Sequence, residues 1–220
     1  MIIKNKFDKE LLNKKQITEV VNILEKEYKG ATCGLDYNNA FELLVALILA
    51  AQCTDLRVNK IRPILFDRFK DVYEMSKADP KEISKIIHSC GFYNNKTKSI
   101  LESSNLIVLK HNGKVPSNME DLTELAGIGR KSANIILQEC FDVSVGIAVD
   151  THVGRISKRL GITNSINPII IERDLMEKLS KNLWDKINHI LVSHGRAICD
   201  AKKPKCDKCM VNHICKYYNS

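Results

Sequence analysis

The amino-acid sequence predicts an all-α fold, and two observations carry this prediction. Apolar residues recur at steps of three and four in long stretches, and no stretch alternates apolar and polar residues as a half-buried strand does. Turn-forming and helix-capping residues separate these stretches. The clearest helical stretches read ELLNKKQITEVVNILEKEY, KEISKIIHSC, KTKSILESSNLIVLKH, ERDLMEKLSKNL and WDKINHILVSHGRAI. We therefore expect a compact protein of roughly ten helices.

Individual elements follow from local signals in chain order. The run FELLVALILAAQ, residues 41–52, is apolar over most of its length and predicts a buried helix. Pro63 is expected to kink or begin a helix, because proline lacks the N–H group that a helix interior needs. Ser117 is expected to cap a short helix with an acidic first turn. A turn of four residues, AGIG, then leads to a second helix, RKSANIILQECF, residues 130–141.

Composition limits the class of protein. A chain of 220 residues with 44% hydrophobic residues forms one large or two small domains with a packed core. The longest apolar run, residues 43–51, is far too short to span a membrane. The first twelve residues, MIIKNKFDKELL, lack the apolar segment of an export signal. We expect a cytoplasmic protein without a membrane segment.

Charge and cysteine placement suggest what the protein binds. The formal net charge of +8 favours an anionic partner, of which nucleic acid is the commonest. Four of the eight cysteines, Cys33, Cys53, Cys90 and Cys140, are scattered and are expected to be free thiols. The other four, Cys199, Cys206, Cys209 and Cys215, fall within 17 residues. Such clustering predicts a metal or cluster site.

The spacing of these four cysteines, C-x6-C-x2-C-x5-C, fits two kinds of site. Four thiolates bind zinc tetrahedrally or hold an iron–sulfur cluster. Only Cys206 and Cys209 form the C-x2-C pair that zinc sites usually show twice, which disfavours zinc. His213 is an additional potential ligand inside the loop. The basic residues around the ligands exceed the acidic ones and leave a local net charge of +4, so the loop is a candidate phosphate contact.

The segment LAGIGRKSANIIL, residues 125–137, holds the next candidate site. Gly127 and Gly129 are expected to reach positive φ and to turn backbone N–H groups outward beside a helix N-terminus, where they would bind a phosphate oxygen. An ordinary helix connection is the alternative. Arg130 and Lys131 stand in the first helical turn, although helix N-termini are electropositive and disfavour cations. Lys131 is then either a phosphate-binding cation or an activated amine.

These features together resemble a known family. LAGIGRKSA is similar to the hairpin of the helix-hairpin-helix DNA repair glycosylases, and AVDTHVGRISKRLG to the segment that carries their essential aspartate. The cysteine spacing resembles the iron–sulfur loop of the endonuclease III branch. The resemblance covers the chain from about residue 17 to 216. The hairpin departs from the family pattern at Ala126, where proline is usual, and this removes no phosphate-binding donor.

The resemblance implies an architecture and a cofactor. Residues 33–144 would form a six-helix domain that contains the hairpin at about 118–141. Residues 1–32 together with 145–220 would form the cluster domain, where the four clustered cysteines hold a [4Fe–4S] cluster. The expected partner is double-stranded DNA that contains a damaged base or an abasic site, and the protein is expected to act as a monomer.

The resemblance also implies catalytic roles. Lys131 matches the lysine with which bifunctional members attack the sugar C1′ of a flipped nucleotide, expel the base and form a Schiff base. The helix N-terminus, Arg130 and bound DNA would each disfavour the ammonium form of this side chain. Asp150 would stabilise cationic character at C1′, although a helix N-cap is its simpler role. The expected enzyme removes oxidised or ring-saturated pyrimidines and cleaves the strand by β-elimination.

A flipped nucleotide leaves a gap in the duplex that side chains must fill. The resemblance assigns this role to Gln52 and, at or near its position, to Phe92; the alternatives are a helix C-cap glutamine and a core phenylalanine. Asp55 is a further candidate DNA contact or a simple first-turn acid. Two other readings of the whole chain stay open. The first is a noncatalytic helix-hairpin-helix DNA-binding module, and the second is a zinc-stabilised partner-binding protein.

Overall fold

A computed structural model describes residues 11–219 of the chain. Residues 1–10 and Ser220 lie outside the described residues. The expectation about an export signal, which rests on residues 1–12, therefore falls mostly outside them. The described part contains helices and turns and no β-strand, which confirms the all-α prediction. None of the helices between residues 11 and 219 combines the length and apolar character that a bilayer crossing requires.

Eleven α-helices follow one another along the described residues. In chain order they are α1 (Lys14–Glu27), α2 (Ala40–Ala50), α3 (Asp55–Arg68), α4 (Val72–Ser76), α5 (Pro80–Ile87), α6 (Tyr93–His111), α7 (Met119–Glu124), α8 (Arg130–Phe141), α9 (Thr151–Leu160), α10 (Pro168–Lys178) and α11 (Trp184–Ala197). Short 3₁₀ turns occur at Lys181–Leu183 and Cys206–Lys208. The chain divides into two compact units.

The first unit, Cys33–Val145, is called the hairpin unit and holds α2 to α8. Its central element is α2, in which every residue from 42 to 49 is buried. Helices α3, α6 and α8 pack against α2, because its apolar residues cover the whole helix circumference. The unit contains seven α-helices rather than the expected six, and the shortest, α4, is little more than one turn capped by Asp71.

The structure excludes one alternative for Pro63, a helix start, and corrects the expected cap of α7. Pro63 lies inside α3, whose start is set instead by Thr54, the side chain of which accepts a hydrogen bond from the N–H of Arg57. The short helix α7 is capped by Asn118 rather than Ser117, because Asn118 accepts from the N–H of Asp121 at 2.8 Å. Asparagine and serine are comparable caps, so sequence alone does not separate adjacent candidates.

The second unit, residues 11–32 with 146–219, is called the cysteine unit and holds α1, α9, α10 and α11. Helix α11 packs against α1 and α9, and α10 packs against α9. The helices bury one apolar core that includes Leu24, Ile156 and Ile187. A capping box, in which Asn13 and Gln16 exchange side-chain and backbone hydrogen bonds, begins α1.

Candidate active site and cysteine loop

The helical hairpin of residues 119–141 is built as α7, a five-residue turn and α8. Gly127 has φ +81°, and a Cβ atom there would lie 3.0 Å from Cβ of Ser99, so both conformation and space require glycine. Gly129 differs from expectation, since its φ of −97° is extended and it serves as the N-cap of α8. The side chain of Ile128 is buried and holds the turn against the core. The turn is one residue longer than expected, because Leu125 ends α7.

The start of α8 faces solvent with both of its cations. Arg130 and Lys131 are exposed, whereas the residues from Ala133 to Leu137 are buried and fix the helix against the core. Among the described residues no side chain caps this helix start. An uncapped helix N-terminus preceded by a glycine turn is suited to an anion, because its N–H groups and dipole both favour negative charge.

A thiol that sequence reasoning did not connect to Lys131 lies in its neighbourhood. Burial raises the pKa of Cys33, while the positive charge of Lys131 acts on the same thiol in the opposite direction. The carboxylates of Glu139 and Asp55 also raise the pKa of Cys33. Asp55 and Lys131 thus both act electrostatically on the same thiol of the hairpin unit. No sequence signal marks this grouping, because the residues are far apart in the chain.

The two side chains predicted to enter DNA stand on adjacent turns. Gln52 follows α2 with φ +53°, and Phe92 precedes α6 with φ +58°, so both non-glycine residues adopt the left-handed conformation. A Cβ atom at Gly91 would lie 3.9 Å from the carbonyl oxygen of Gln52, which shows that the two turns are neighbours. Phe92 is 63% exposed, so its interpretation as a core residue is wrong.

A buried cation braces these two turns. Lys96, in the first turn of α6, is 5% exposed and donates a hydrogen bond of 2.8 Å from Nζ to the carbonyl oxygen of Leu49 in α2. A cation is favourable at a helix C-terminus, where carbonyl groups lack helical partners. Lys96 therefore holds the end that precedes Gln52 against the helix that follows Phe92. Strained non-glycine backbone persists only where such contacts over-determine it.

Asp150 belongs to the cysteine unit and caps α9. Its carboxylate accepts a hydrogen bond from the N–H of Val153 at 2.8 Å, which confirms the N-cap interpretation. The preceding backbone is fixed, because Asn188 donates from its side chain to the carbonyl oxygen of Ala148 at 2.8 Å. Asp150 itself is only half-buried. A rigid, accessible carboxylate is available for electrostatic work.

His152 lies two residues beyond Asp150 and is engaged in packing. Its Nδ1 is 3.2 Å from a guanidinium nitrogen of Arg155, which also donates to the carbonyl oxygen of Cys199 at 2.9 Å. Desolvation by burial lowers the pKa of His152. These contacts are those of a structural hydrogen-bonding residue.

The four clustered cysteines surround one cavity in the cysteine unit. All four sulfur-bearing residues are half-buried, and Arg159 and His194 line the same cavity. Burial, and after it the neighbouring cysteines, raise the pKa values of Cys209 and Cys215, while hydrogen bonds from backbone N–H groups act in the opposite direction. Among residues 11–219, no three His, Cys, Asp or Glu side chains converge closely enough to hold a single metal ion. His213 points elsewhere, with its Nε2 3.8 Å from a Glu19 carboxylate oxygen.

Polar side chains beside this cavity escaped sequence reasoning. Arg159 donates to the sulfur of Cys199 at 3.3 Å. Nε2 of His194 lies 3.7 Å from the sulfur of Cys209, and Tyr28 hydrogen-bonds to the other ring nitrogen of His194 at 3.1 Å. Burial lowers the pKa of His194 to about 4, so the ring is neutral near pH 7. In the sequence, His194 stands five residues before Cys199, in HGRAIC, and this proximity is the one signal that could have marked it. Its partners Tyr28 and Cys209 come from other segments of the chain.

The fold and its glycine turn define the helix-hairpin-helix class of proteins. The family model described as HhH-GPD superfamily base excision DNA repair protein matches residues 45–181. An endonuclease III of Synechocystis is 47% identical over 92% of this chain and 92% of its own length. That of Bacillus subtilis is 38% identical over 94% of each chain. The chain therefore belongs to the endonuclease III family, within the HhH-GPD superfamily.

Solved structures agree with this membership. A trapped endonuclease III–DNA covalent intermediate matches with a TM-score of 0.89 and 36% identity, over 95% of this chain and 98% of that chain. A non-covalent endonuclease III–DNA complex matches to the same extent. A thermostable thymine-DNA glycosylase, 23% identical, shares the fold with a TM-score of 0.81.

Proposed function

We propose that this protein is a bifunctional DNA glycosylase and AP lyase that removes oxidised or ring-saturated pyrimidines from double-stranded DNA. Membership of the endonuclease III family makes it a base excision repair DNA glycosylase. The observation that carries the lyase activity is the exposed Lys131 in the first turn of α8, directly after the glycine turn. A relative of the same fold has been trapped as a covalent intermediate with DNA.

Lys131 is proposed as the nucleophile. Its neutral amine attacks C1′ of the flipped nucleotide, the glycosidic bond breaks, and the base leaves with a proton. Opening of the sugar ring yields a Schiff base between Lys131 and C1′. Loss of a proton from C2′ then expels the 3′ phosphate and cleaves the strand, and water releases the enzyme.

Asp150 is proposed to stabilise the positive charge that develops at C1′ and to assist proton transfer. Its N-cap hydrogen bond to Val153 holds the carboxylate in one orientation, so little reorganisation accompanies the reaction. Because Asp150 is partly exposed, we propose that its second carboxylate oxygen faces the substrate.

The remaining site residues are proposed to bind and distort DNA. Gln52 and Phe92 would fill the space left by the flipped nucleotide, because both are exposed on neighbouring turns. Asp55 would act from the start of α3, next to the Gln52 turn. Gly127, Gly129 and Arg130 would bind phosphate at the hairpin, where backbone N–H groups and a cation converge.

The four cysteines are proposed to hold a [4Fe–4S] cluster. A tetrahedral zinc site, with Zn–S bonds of about 2.3 Å, needs sulfurs about 4 Å apart. The cysteines instead stand around a cavity, and among the described residues no three converge on a single-ion site. Four thiolates with hydrogen-bond donors beside their sulfurs suit an iron–sulfur cluster. When bound, the cluster would order the basic loop; the glycosylase reaction transfers no electrons.

The two units are proposed to be the two functional domains of a monomer. The resemblance predicts these domains at residues 33–144 and at residues 1–32 with 145–220. The hairpin and Lys131 fall in the first, and Asp150 and the four cysteines in the second.

A borohydride trapping experiment tests this function. Wild-type protein and Lys131→Ala are mixed with duplexes that each carry one abasic site or one oxidised pyrimidine, and sodium borohydride reduces any Schiff base. Wild type should form a covalent adduct and Lys131→Ala should form none. Lys85→Ala, which removes an exposed helical lysine of the same unit, is the matched control and should trap like wild type.

Three outcomes would contradict parts of the proposal. An undiminished adduct in Lys131→Ala would assign the nucleophile to another amine. No adduct in wild type, with tight binding to undamaged duplex, would favour the noncatalytic DNA-binding module. A colourless preparation that contains zinc after anaerobic purification would contradict the proposed cluster and favour the zinc-stabilised partner-binding protein.

A further inference from the structure

Two of the scattered cysteines meet between the Gln52 and Phe92 turns. Cys53 follows Gln52 directly, and Cys90 stands two residues before Phe92. Among the neighbouring side chains, that of Cys53 raises the pKa of Cys90 most, so the two thiols lie near each other. The backbones also approach, as the 3.9 Å separation between a Cβ atom built at Gly91 and the carbonyl oxygen of Gln52 shows. The two thiols thus lie side by side across neighbouring turns, although 37 positions separate them.

We propose that Cys53 and Cys90 form a redox-active dithiol, which a low-molecular-weight disulfide oxidises to a disulfide bond between the two turns. Both cysteines are free thiols in the structure. This assignment gives a shared role to two residues that are scattered in the sequence and are expected from it to be unconnected free thiols. The disulfide itself does not depend on the proposed function; only its consequence for DNA does.

The two thiols differ in access, and this difference orders the reaction. Cys53 is half-buried and within reach of a small oxidant, whereas Cys90 is 0% exposed. The Cys53 thiolate attacks one sulfur of the oxidant, forms a mixed disulfide and releases one thiol. The Cys90 thiolate then attacks the Cys53 sulfur and releases the second thiol. In total, two protein thiols lose two electrons and two protons, and the oxidant disulfide becomes two thiols.

The surroundings of Cys90 suit a resolving thiol. Burial and the Cys53 side chain raise its pKa to about 11, while the positive charges of Lys96 and Arg57 act in the opposite direction. A buried thiol of this kind resists direct oxidation from solvent and reacts with the adjacent mixed disulfide. The cations Lys96 and Arg57 stabilise the thiolate in that second step.

The disulfide would connect the two strained turns. Gln52 and Phe92 both hold left-handed backbone, and each lies within two residues of one of the cysteines. A bond between the turns would fix their spacing, which the Lys96 hydrogen bond to Leu49 already restrains. On the proposed function, the oxidised protein would present its two inserting side chains at a fixed separation.

Thiol mapping in redox buffers tests the dithiol. The cluster-loaded protein is equilibrated anaerobically with mixtures of reduced and oxidised glutathione, quenched in acid, alkylated and digested without reductant. We expect Cys53 and Cys90 to lose alkylation together and a peptide joined through these two residues to appear. Cys33→Ser, which removes another half-buried thiol of the same unit, should leave this linkage intact.

Variants of the pair complete the test. Cys53→Ser should leave Cys90 fully alkylated, and oxidation should raise the thermal unfolding midpoint of wild type but not of Cys53→Ser. Cys90→Ser should likewise abolish the linked peptide, and Cys90→Ala takes its place if the buried hydroxyl prevents folding. Absence of the linked peptide at every glutathione ratio would overturn the proposal. Pairing of Cys53 with Cys33 or Cys140 instead would overturn it equally, whatever the outcome of borohydride trapping.

Discussion

Asp150 combines two physical tasks in a single residue. Its carboxylate caps α9 through the N–H of Val153, and we propose that it also stabilises positive charge at the substrate. An amide oxygen can perform the first task but carries no charge for the second. Lys131 has the opposite character, because its position at a helix start contributes nothing to the stability of that helix. A residue that opposes its local environment is a candidate for function.

The tasks of Asp150 should separate in two variants. Asp150→Asn should unfold at the same denaturant concentration as wild type, because asparagine caps as well as aspartate, yet lower the glycosylase rate about 10²–10⁴-fold. Asp150→Ala should lose the activity and also about 1 kcal/mol of unfolding free energy. Urea titrations and single-turnover rates measure the two effects. Equal activity in Asp150→Asn and wild type would limit Asp150 to capping.

The hairpin shows how one element divides structural and functional demands between two glycines. Gly127 needs its missing side chain for folding, since its φ is +81° and Ser99 lies close. Gly129 has ordinary extended backbone, and within the described residues a Cβ atom there would contact nothing within 4 Å. The absence of a side chain at Gly129 therefore serves the exposed start of α8, not the fold.

Substitutions at the two glycines should have opposite effects on stability. Gly127→Ala should lower the unfolding free energy by about 1–2 kcal/mol, because a left-handed alanine is strained. Gly129→Ser should leave stability unchanged or raise it, since serine is a good N-cap. The serine oxygen would occupy the N–H groups offered to phosphate, so duplex affinity should fall. Unchanged duplex affinity in Gly129→Ser would show that the start of α8 does not bind a DNA phosphate.

The turns at Gln52 and Phe92 carry backbone strain that glycine would relieve. Gln52→Gly and Phe92→Gly should each raise the unfolding free energy by about 1 kcal/mol and should both slow base removal. Asp142→Gly is the matched control, because Asp142 is a left-handed C-cap with φ +54° and should gain stability without loss of activity. Full activity in Phe92→Gly would show that no wedge is needed there.

Charge acts at the scale of the whole molecule. The chain carries a net +8, and the cysteine loop concentrates part of this charge around residues proposed to hold a cluster. Lys202 and Lys203 are exposed, while their backbone N–H groups donate to Asp200 and shape the loop. Because these hydrogen bonds involve the backbone and not the side chains, the two ammonium groups can attract an anionic partner without a change in the loop's hydrogen bonds.

Replacement of both lysines by alanine should weaken DNA binding in a salt-dependent way. If each neutralises one phosphate, the slope of log K against log salt concentration should fall in magnitude by about 2. Lys14→Ala/Lys15→Ala, which removes two exposed charges from α1, should leave the slope nearly unchanged. Fluorescence anisotropy at several salt concentrations provides the measurement. An equal change in both double variants would assign the effect to net charge alone.

Local sequence determined the all-α class, the span of α8 at residues 130–141 and the role of Asp150 as an N-cap. Helix periodicity and capping depend on residues three or four positions apart, so a short stretch of chain contains the relevant physics. Even locally, equivalent signals compete, and Asn118 rather than Ser117 caps α7.

Only the tertiary structure decided the left-handed backbone at Gln52 and Phe92, the cavity lined by four cysteines and the proximity of Cys53 to Cys90. Each depends on packing between segments that are distant in the chain. The unfavourable conformations at the two turns persist because contacts such as the buried Lys96 hydrogen bond to Leu49 hold them. Long-range packing decides such features, since no nearby residue in the chain records which segments will meet.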